Sequence, residues 1–397
     1  MLRLAFILLA TLNISINLGC DSITPPTNQE STVPQAPTAS PNDAAQTGAA
    51  GSDKADSTAG TAASPQKVDD AASLMALEKC GATMRRDGNG FVTEVNFRGL
   101  TIDDPILTHL PSLPKLQSVL LNETAISDEG LAGISGLTAI RNLDMRGCGI
   151  SNDAMKHLTG LSTLVALRLS GKNGATTIDD DALADIAKLP KLKVLALDFL
   201  WVSGDGLSLL EPSEQLTELY LAKTLVDDDA MAIIKDRFPN LKKLRVAQTQ
   251  ISTAGLAHLT ELSNLEDLDL SENSLLFDDA MEPVGQMTQL QRLNLWRVAI
   301  TDTGVGQLAG LTKLRWLNLD NTQLSDSGLE YLAAMNELTF LHLGSTAISD
   351  AGLTHLESLT QLDDLKVTRT AITEAGAKAL QAKLPETEIQ LRYIDGQ

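Results

Sequence analysis

The sequence predicts an α/β solenoid: about twelve stacked strand-turn-helix units with a parallel sheet on the inner face, short helices on the outer face, and an N-terminal cap. Three observations carry this. An apolar pattern returns every 24 residues or so, opening at Leu116, Ile140, Leu164, Leu192, Leu216, Leu241, Leu265, Leu290, Leu314, Leu338 and Leu362, with a looser first copy at Val92 and a half-copy near Glu386. Within each copy the first half alternates with period two, as a half-buried strand does, and the second half has the three-to-four spacing of a short helix. One such unit cannot bury its apolar face alone, so neighbours must stack into a continuous core.

Each element has a local cause. The strand comes from L-x-x-L-x-L, and the turn that follows holds a small polar residue at position nine: Thr124, Cys148, Thr176, Thr224, Thr249, Asn273, Thr322, Thr346 and Thr370. Such a side chain can bond free backbone groups of the next coil. Ser127, Ser151, Ser203, Asp227, Ser252, Thr301, Ser325, Ser349 and Thr373 then stand where a helix N-cap is needed. Asp128, Asp228, Asp302, Asp326 and Asp350 come next, in the first turn, where a carboxylate complements the helix dipole. The run from Ser170 to Thr177 adds four residues to the Leu164 copy and should bulge as a loop.

The clearest copies read L-T-K-L-R-W-L-N-L-D-N-T-Q-L-S-D-S-G-L from Leu311 and L-T-F-L-H-L-G-S-T-A-I-S-D-A-G-L from Leu338. They resemble the leucine-rich repeat family over roughly four fifths of the chain, in the short helix-bearing subclasses that include cysteine-containing repeats and repeats of bacterial envelope proteins. The resemblance implies an α/β horseshoe used for binding or scaffolding, and implies no reaction.

The N-terminal part divides differently. Arg3, the apolar run Leu4 to Leu12 and the small residues before Cys20 read as an export signal over 1–19, too short to span a bilayer. Leu18-Gly19-Cys20 resembles the end of a bacterial lipoprotein signal, although Asn17 stands where that family prefers leucine; the resemblance implies lipidation at Cys20 and membrane anchoring of an exported protein, periplasmic or at the cell surface. Residues 20–67 are rich in Ser, Thr, Pro and Ala and should form a disordered linker. Residues 68–91 form the cap, with Ala71, Leu74, Met75 and Leu77 at helical spacing and a hairpin around Asp87-Gly88-Asn89-Gly90; the repeat domain occupies 92–397.

Composition narrows the function. The net charge of -20 comes without a basic run, so nucleic acid is not the expected partner. Cys80 and Cys148 lie about two strand spacings apart, beyond the ~7 Å a disulfide allows. His109, His157, His258 and His355 share one outer-helix position, and His342 has no serine or paired-carboxylate partner by sequence, so no catalytic residue, cofactor or metal ligand is assigned. The triplets around Asp180 and Asp228 and the pair Asp278-Asp279 could hold a hard cation such as calcium, but helix capping explains them.

The best candidate surface is the inner face. Matched charges on adjacent strands should pair laterally: Lys242 with Glu266, Lys243 with Asp267, which Arg292 faces from the next strand, Arg245 with Asp269, and Arg297 with Glu272. Aromatic residues make up only 3% of the chain, yet Trp296, Trp316 and Phe340 fall at inner-strand positions in three consecutive repeats, with Arg292, Arg297, Arg315, Asp320 and His342 beside them. Trp and Arg are enriched at binding hot spots, so these eight residues are the expected protein- or peptide-binding patch. A bare cation-π and aromatic ladder is the structural alternative. A lesser aromatic group is Phe199, Trp201 and Tyr220. Three other roles stay open: an envelope-organising lipoprotein without a tight ligand, a glycan binder that stacks sugars on Trp296 and Trp316, and a ubiquitin-ligase-type substrate receptor. The export signal and the lack of a helical adaptor-binding domain speak against the last.

Overall fold

The computed structural model describes residues 68–392, so the expected export signal, Cys20 and the expected linker lie outside the described residues. A helix over Ala71–Lys79, capped by the Asp70 carboxylate on Ser73 N–H, precedes a hairpin in which Thr83–Arg86 pairs antiparallel with Val92–Asn96. From Val92–Asn96 onward every strand pairs in parallel with the next in sequence order, giving one fourteen-stranded sheet that ends at Glu388–Gln390. The architecture is an open leucine-rich-repeat solenoid.

The core follows the leucine phase. Leu293, Leu317, Leu341 and Leu365 are in register at the centre of consecutive strands and are completely buried. On the outer face the coils close with short helices, some α, such as Asp228–Arg237, and some 3-10, such as Asp326–Leu332. The insertion after Leu169 does form an exposed turn, pinned by Asn173 Nδ2 donating to Gly147 O at 2.8 Å.

Two details depart from the sequence expectation. Most position-nine threonines bond their own coil: Thr322 donates to Leu319 O at 2.8 Å and Thr346 to Leu343 O at 2.6 Å. A threonine hydroxyl has one proton and a short reach, whereas the amide of Asn273 spans two coils, donating to Val246 O at 2.8 Å and Leu270 O at 2.9 Å.

The capping aspartates do more than face a helix dipole. At eight joints the carboxylate accepts both the N–H and the hydroxyl of the cap serine or threonine in the next coil, as Asp180 does from Ser203 N at 2.7 Å and Ser203 Oγ at 2.6 Å. This stitch also accounts for the glycine of the repeat. A Cβ on Gly206 would overlap the Asp180 carboxylate, and Gly130, Gly255, Gly304, Gly328, Gly352 and Gly376 each face the aspartate of the preceding coil in the same way. Alanine replaces that glycine at Ala182, Ala230 and Ala280, and there the preceding coil offers Asn152, Gly204 and Thr253 in place of aspartate. Ala154 is the exception, packed in the coil whose Ser151 is held by Asp128.

Past each strand the chain turns through a left-handed residue. Glu123, Phe199, Lys223, Gln248, Glu272, Arg297, Asn321, Ser345 and Arg369 have φ between 52° and 62°. That conformation costs a non-glycine residue about 1–2 kcal/mol. The offset is an extended ladder: Gln248 N donates to Ser271 O at 2.8 Å and Arg297 N to Asp320 O at 3.0 Å.

Candidate functional site

The solvent-facing side of the sheet carries columns of side chains, one from each strand. Arg292, Trp316 and Phe340 are direct neighbours in one column, with Asp267 before them and Asp364 after. The Arg292 guanidinium lies 3.4 Å from the Trp316 ring centre, and Trp316 stacks on Phe340 at 4.9 Å with the planes 5° apart. Lys366 Nζ sits 5.5 Å from the Phe340 ring. Two cations therefore bracket two stacked rings, an arrangement favoured by the negative faces of the π systems.

His342 meets the edge of Phe340 at 6.4 Å. Burial pushes its imidazole pKa below the usual value and Lys366 pushes the same way, against the opposing field of Asp320, so the ring is neutral at pH 7. Asp320 Oδ1, His342 Nε2 and Thr368 Oγ1 all crowd the α-carbon of Gly344, where a Cβ would lie 2.9 Å from each. A glycine there leaves the backbone open beneath three polar groups.

Not every expected residue joins this group. Trp296 is not on a strand: it lies in the turn after Arg292–Asn294, and its partner is Arg297, whose guanidinium is 5.5 Å from the ring. The strand is three residues long, so position seven falls beyond it. Arg297 in turn pairs with Glu272 at 2.7 Å, and Arg315, on the outer margin, with Glu337 at 3.3 Å. Asp320 lies in the turn after Trp316–Asn318, with its N–H donated to Asn318 Oδ1 at 2.9 Å.

The lateral charge band forms, with one change of partner. Lys242 pairs with Glu266 at 3.3 Å, and Arg245 reaches Asp269 at 3.2 Å and also Asp198 at 3.3 Å, two strands away. Lys243, in register with Asp267, instead meets Glu218 at 3.4 Å, because Arg292 takes Asp267 from the other side at 3.6 Å. Asp267 still has its carboxyl pKa raised by burial, with Arg292 and Lys243 opposing the shift.

The lesser aromatic group does not assemble. Tyr220 points from its strand and donates to Glu218 Oε2 at 2.7 Å, Phe199 occupies a left-handed turn under Lys223, and Trp201 lies exposed on the rim where strands hand over to helices. Sugar stacking on Trp316 is also closed off, since Arg292 and Phe340 occupy its two faces. One aspartate of each group proposed for a cation, Asp180, Asp228 and Asp278, is committed to a serine or threonine of the next coil, and no group of three or more metal-ligating side chains is found among the described residues. Cys80 and Cys148 are both free thiols; Cys148 is buried, donates to Leu121 O at 3.0 Å, and has its pKa raised by that burial.

Comparisons with known proteins agree with the architecture. The family model for the leucine rich repeat matches residues 288–348, the stretch that contains Arg292, Trp316 and Phe340. A transforming growth factor beta activator of Danio rerio is 31% identical over 143 residues, which is 36% of this chain and only 20% of that protein. An internalin of Listeria monocytogenes superposes with a TM-score of 0.56 at 18% identity, covering 85% of this chain and all of that one. A second internalin of the same species, internalin C2, aligns at 24% identity with a TM-score of 0.41, over 53% of this chain and 83% of that one. Taken with the unbroken parallel sheet and the buried leucine columns, the family match over residues 288–348 and the superposition on the first internalin identify the fold of the described residues as a leucine-rich-repeat solenoid.

Proposed function

We propose that this protein is a non-enzymatic recognition module that binds a protein or peptide on the solvent-facing side of its sheet, displayed at a bacterial cell envelope through a lipid on Cys20. The observation that carries the binding surface is the stack of Arg292, Trp316, Phe340 and Lys366 on consecutive strands. Side chains held in this way lose little further rotamer freedom on binding, which lowers the cost of association. The edges of the rings remain open to a partner, and Arg292, Arg297 and Arg315 stay solvent-exposed although each is paired with a carboxylate. The catalytic alternative lacks a nucleophile beside its imidazole: Asn318, Asp320, Lys366, Phe340 and Thr368 stand around His342, with no serine or cysteine among these groups.

A purely structural lipoprotein is the second reading, favoured by the closure of both faces of Trp316. Affinity capture from envelope extract separates the two. The 68–397 fragment should retain a partner that Trp316→Ala loses by roughly 30-fold or more, the effect of removing a hot-spot residue. Lys243→Ala, whose ammonium is already held by Glu218, should change capture little. Equal loss from both substitutions, or no captured partner, overturns the binding surface and leaves the structural role. The anchor is tested separately: Cys20→Ala should release the protein from the membrane fraction, because no helix among the described residues is long and apolar enough to cross a bilayer. Unchanged mass and membrane retention would refute lipidation.

A further inference from the structure

The rim where strands hand over to helices carries a second surface, on a different face from the aromatic stack. At the residue between the position-nine side chain and the buried one after it, most coils present alanine, glycine, threonine or glutamine. In the stretch of four coils from Leu192 to Gly285 the same line instead holds Trp201, Leu225 and Leu275, with Phe277 two residues on, interrupted only by Gln250. These side chains are 67%, 42%, 50% and 51% exposed respectively. They are not randomly placed: Leu225 N donates to Val202 O at 2.8 Å and Gln250 N to Val226 O at 3.1 Å, so backbone bonds hold the first three coils of the line in register.

The helix side of the stripe is bordered by acid, while Lys223 lies on the strand side over Phe199. Asp179, Asp181, Asp205, Asp227, Asp229 and Asp279 are exposed in the adjoining turns, and the segments 200–205, 224–229, 249–254 and 273–279 contain no Lys, Arg or His. An apolar line flanked on its helix side by carboxylates complements a partner with one apolar and one cationic face. A second copy of this chain, at net charge -20, would be repelled, as would an anionic lipid surface.

Spacing decides the partner's secondary structure. Adjacent coils repeat at about 4.8 Å, and the α-helix repeats a face every 5.4 Å, so three coil steps accumulate a mismatch of only about 2 Å. An extended strand repeats a face every ~6.7 Å and would be about 6 Å out of register over the same distance. We infer that the rim from Trp201 to Phe277 is a docking site for a basic amphipathic helix lying along the solenoid axis, its apolar residues on the stripe and its lysines or arginines over the aspartates.

The probe is a fluorescein-labelled synthetic peptide with leucines at i, i+3, i+4 and i+7 and lysines elsewhere, titrated with the full-length protein and followed by anisotropy. It should bind, and its Leu/Glu counterpart and an alternating Leu/Lys strand peptide should bind far more weakly. Combining Trp201→Ser with Leu275→Ser removes two exposed apolar anchors and should weaken binding at least about tenfold. Asp227→Asn with Asp229→Asn keeps helix capping by residue 227 but should reduce both affinity and its salt dependence. Gln323→Ser, on the same rim further along, serves as the control and should have no effect. Wild-type affinity in the Trp201/Leu275 variant would reduce the binding to general attraction of a polycation and overturn the proposal. So would equal binding of the Leu/Glu peptide, self-association abolished by the same variant, or stripe-dependent adsorption to neutral phosphatidylcholine vesicles.

Discussion

The aspartate stitch between coils yields a sharp test at Asp180, Ser203 and Gly206. Asp180→Ala removes an acceptor that holds Ser203 N–H at 2.7 Å and Ser203 Oγ at 2.6 Å, both part-buried. Hydrogen bonds to a charged group contribute about 1.5–3 kcal/mol each when well shielded; with partial exposure and two bonds sharing one carboxylate, the loss should be about 2 kcal/mol. Gly206→Ala places a methyl group into the Asp180 carboxylate, whose oxygen and Cγ are its nearest neighbours. Overpacking costs about 1–3 kcal/mol, and the higher helix propensity of alanine returns up to ~1, for a net loss of about 1–2. In the double variant the overlap with the carboxylate is gone and only a tight contact with the Cβ of residue 180, at 3.0 Å, remains beside the propensity gain, so the pair should cost no more than Asp180→Ala alone, with a coupling of about 1–2 kcal/mol. Urea unfolding followed by far-UV circular dichroism measures all four corners of the cycle, with the m-values compared to confirm a common transition. Additivity within about 0.5 kcal/mol would show that the glycine is not there to admit the carboxylate. Ala154 beside Asp128 already shows that one joint accommodates both, which limits the clash to a few kcal/mol.

Three further outcomes are expected. Asn273→Ala should cost about 3 kcal/mol or more, since a fully buried amide that donates to Val246 and Leu270 and accepts from Thr249 N–H at 2.8 Å would leave those groups unpaired; a loss below 1 would refute its bridging role. Leu317→Ala should cost about 2–5 kcal/mol while His157→Ala, on the outer turn, stays within about 0.5, and comparable losses would invert the assignment of faces. His342 should titrate below the usual imidazole pKa of about 6.5 in an NMR pH series. Because the unfolded imidazole then binds its proton first, stability should be unaffected above about pH 6.5 and fall as the pH drops below it toward the folded-state pKa; His342→Gln should remove that component, and an unshifted titration would contradict the buried placement.

Much of this molecule was legible in the chain because a repeat converts a long-range problem into a local one. The spacing of Leu293, Leu317 and Leu341 demands that each coil stack on the next, and the parallel order of the sheet follows from that single requirement. Likewise, Trp316 and Phe340 had to be neighbours once their repeat positions were equal. What the chain did not reveal were contacts that depend on reach and on competition. Lys243 could face either Glu218 or Asp267, and only the position of Arg292 settled the choice. Asp180 looked like a residue of its own helix, but its carboxylate belongs equally to the next coil, because the stacking distance brings Ser203 within hydrogen-bond range. The left-handed residues carried no glycine signal at Gln248 or Arg297, since the inter-coil ladder that holds them there exists only after stacking. Periodicity sets which residues are neighbours; the tertiary structure alone decides which of several neighbours a polar side chain takes, because that depends on a few ångströms of side-chain reach that no spacing in the sequence encodes.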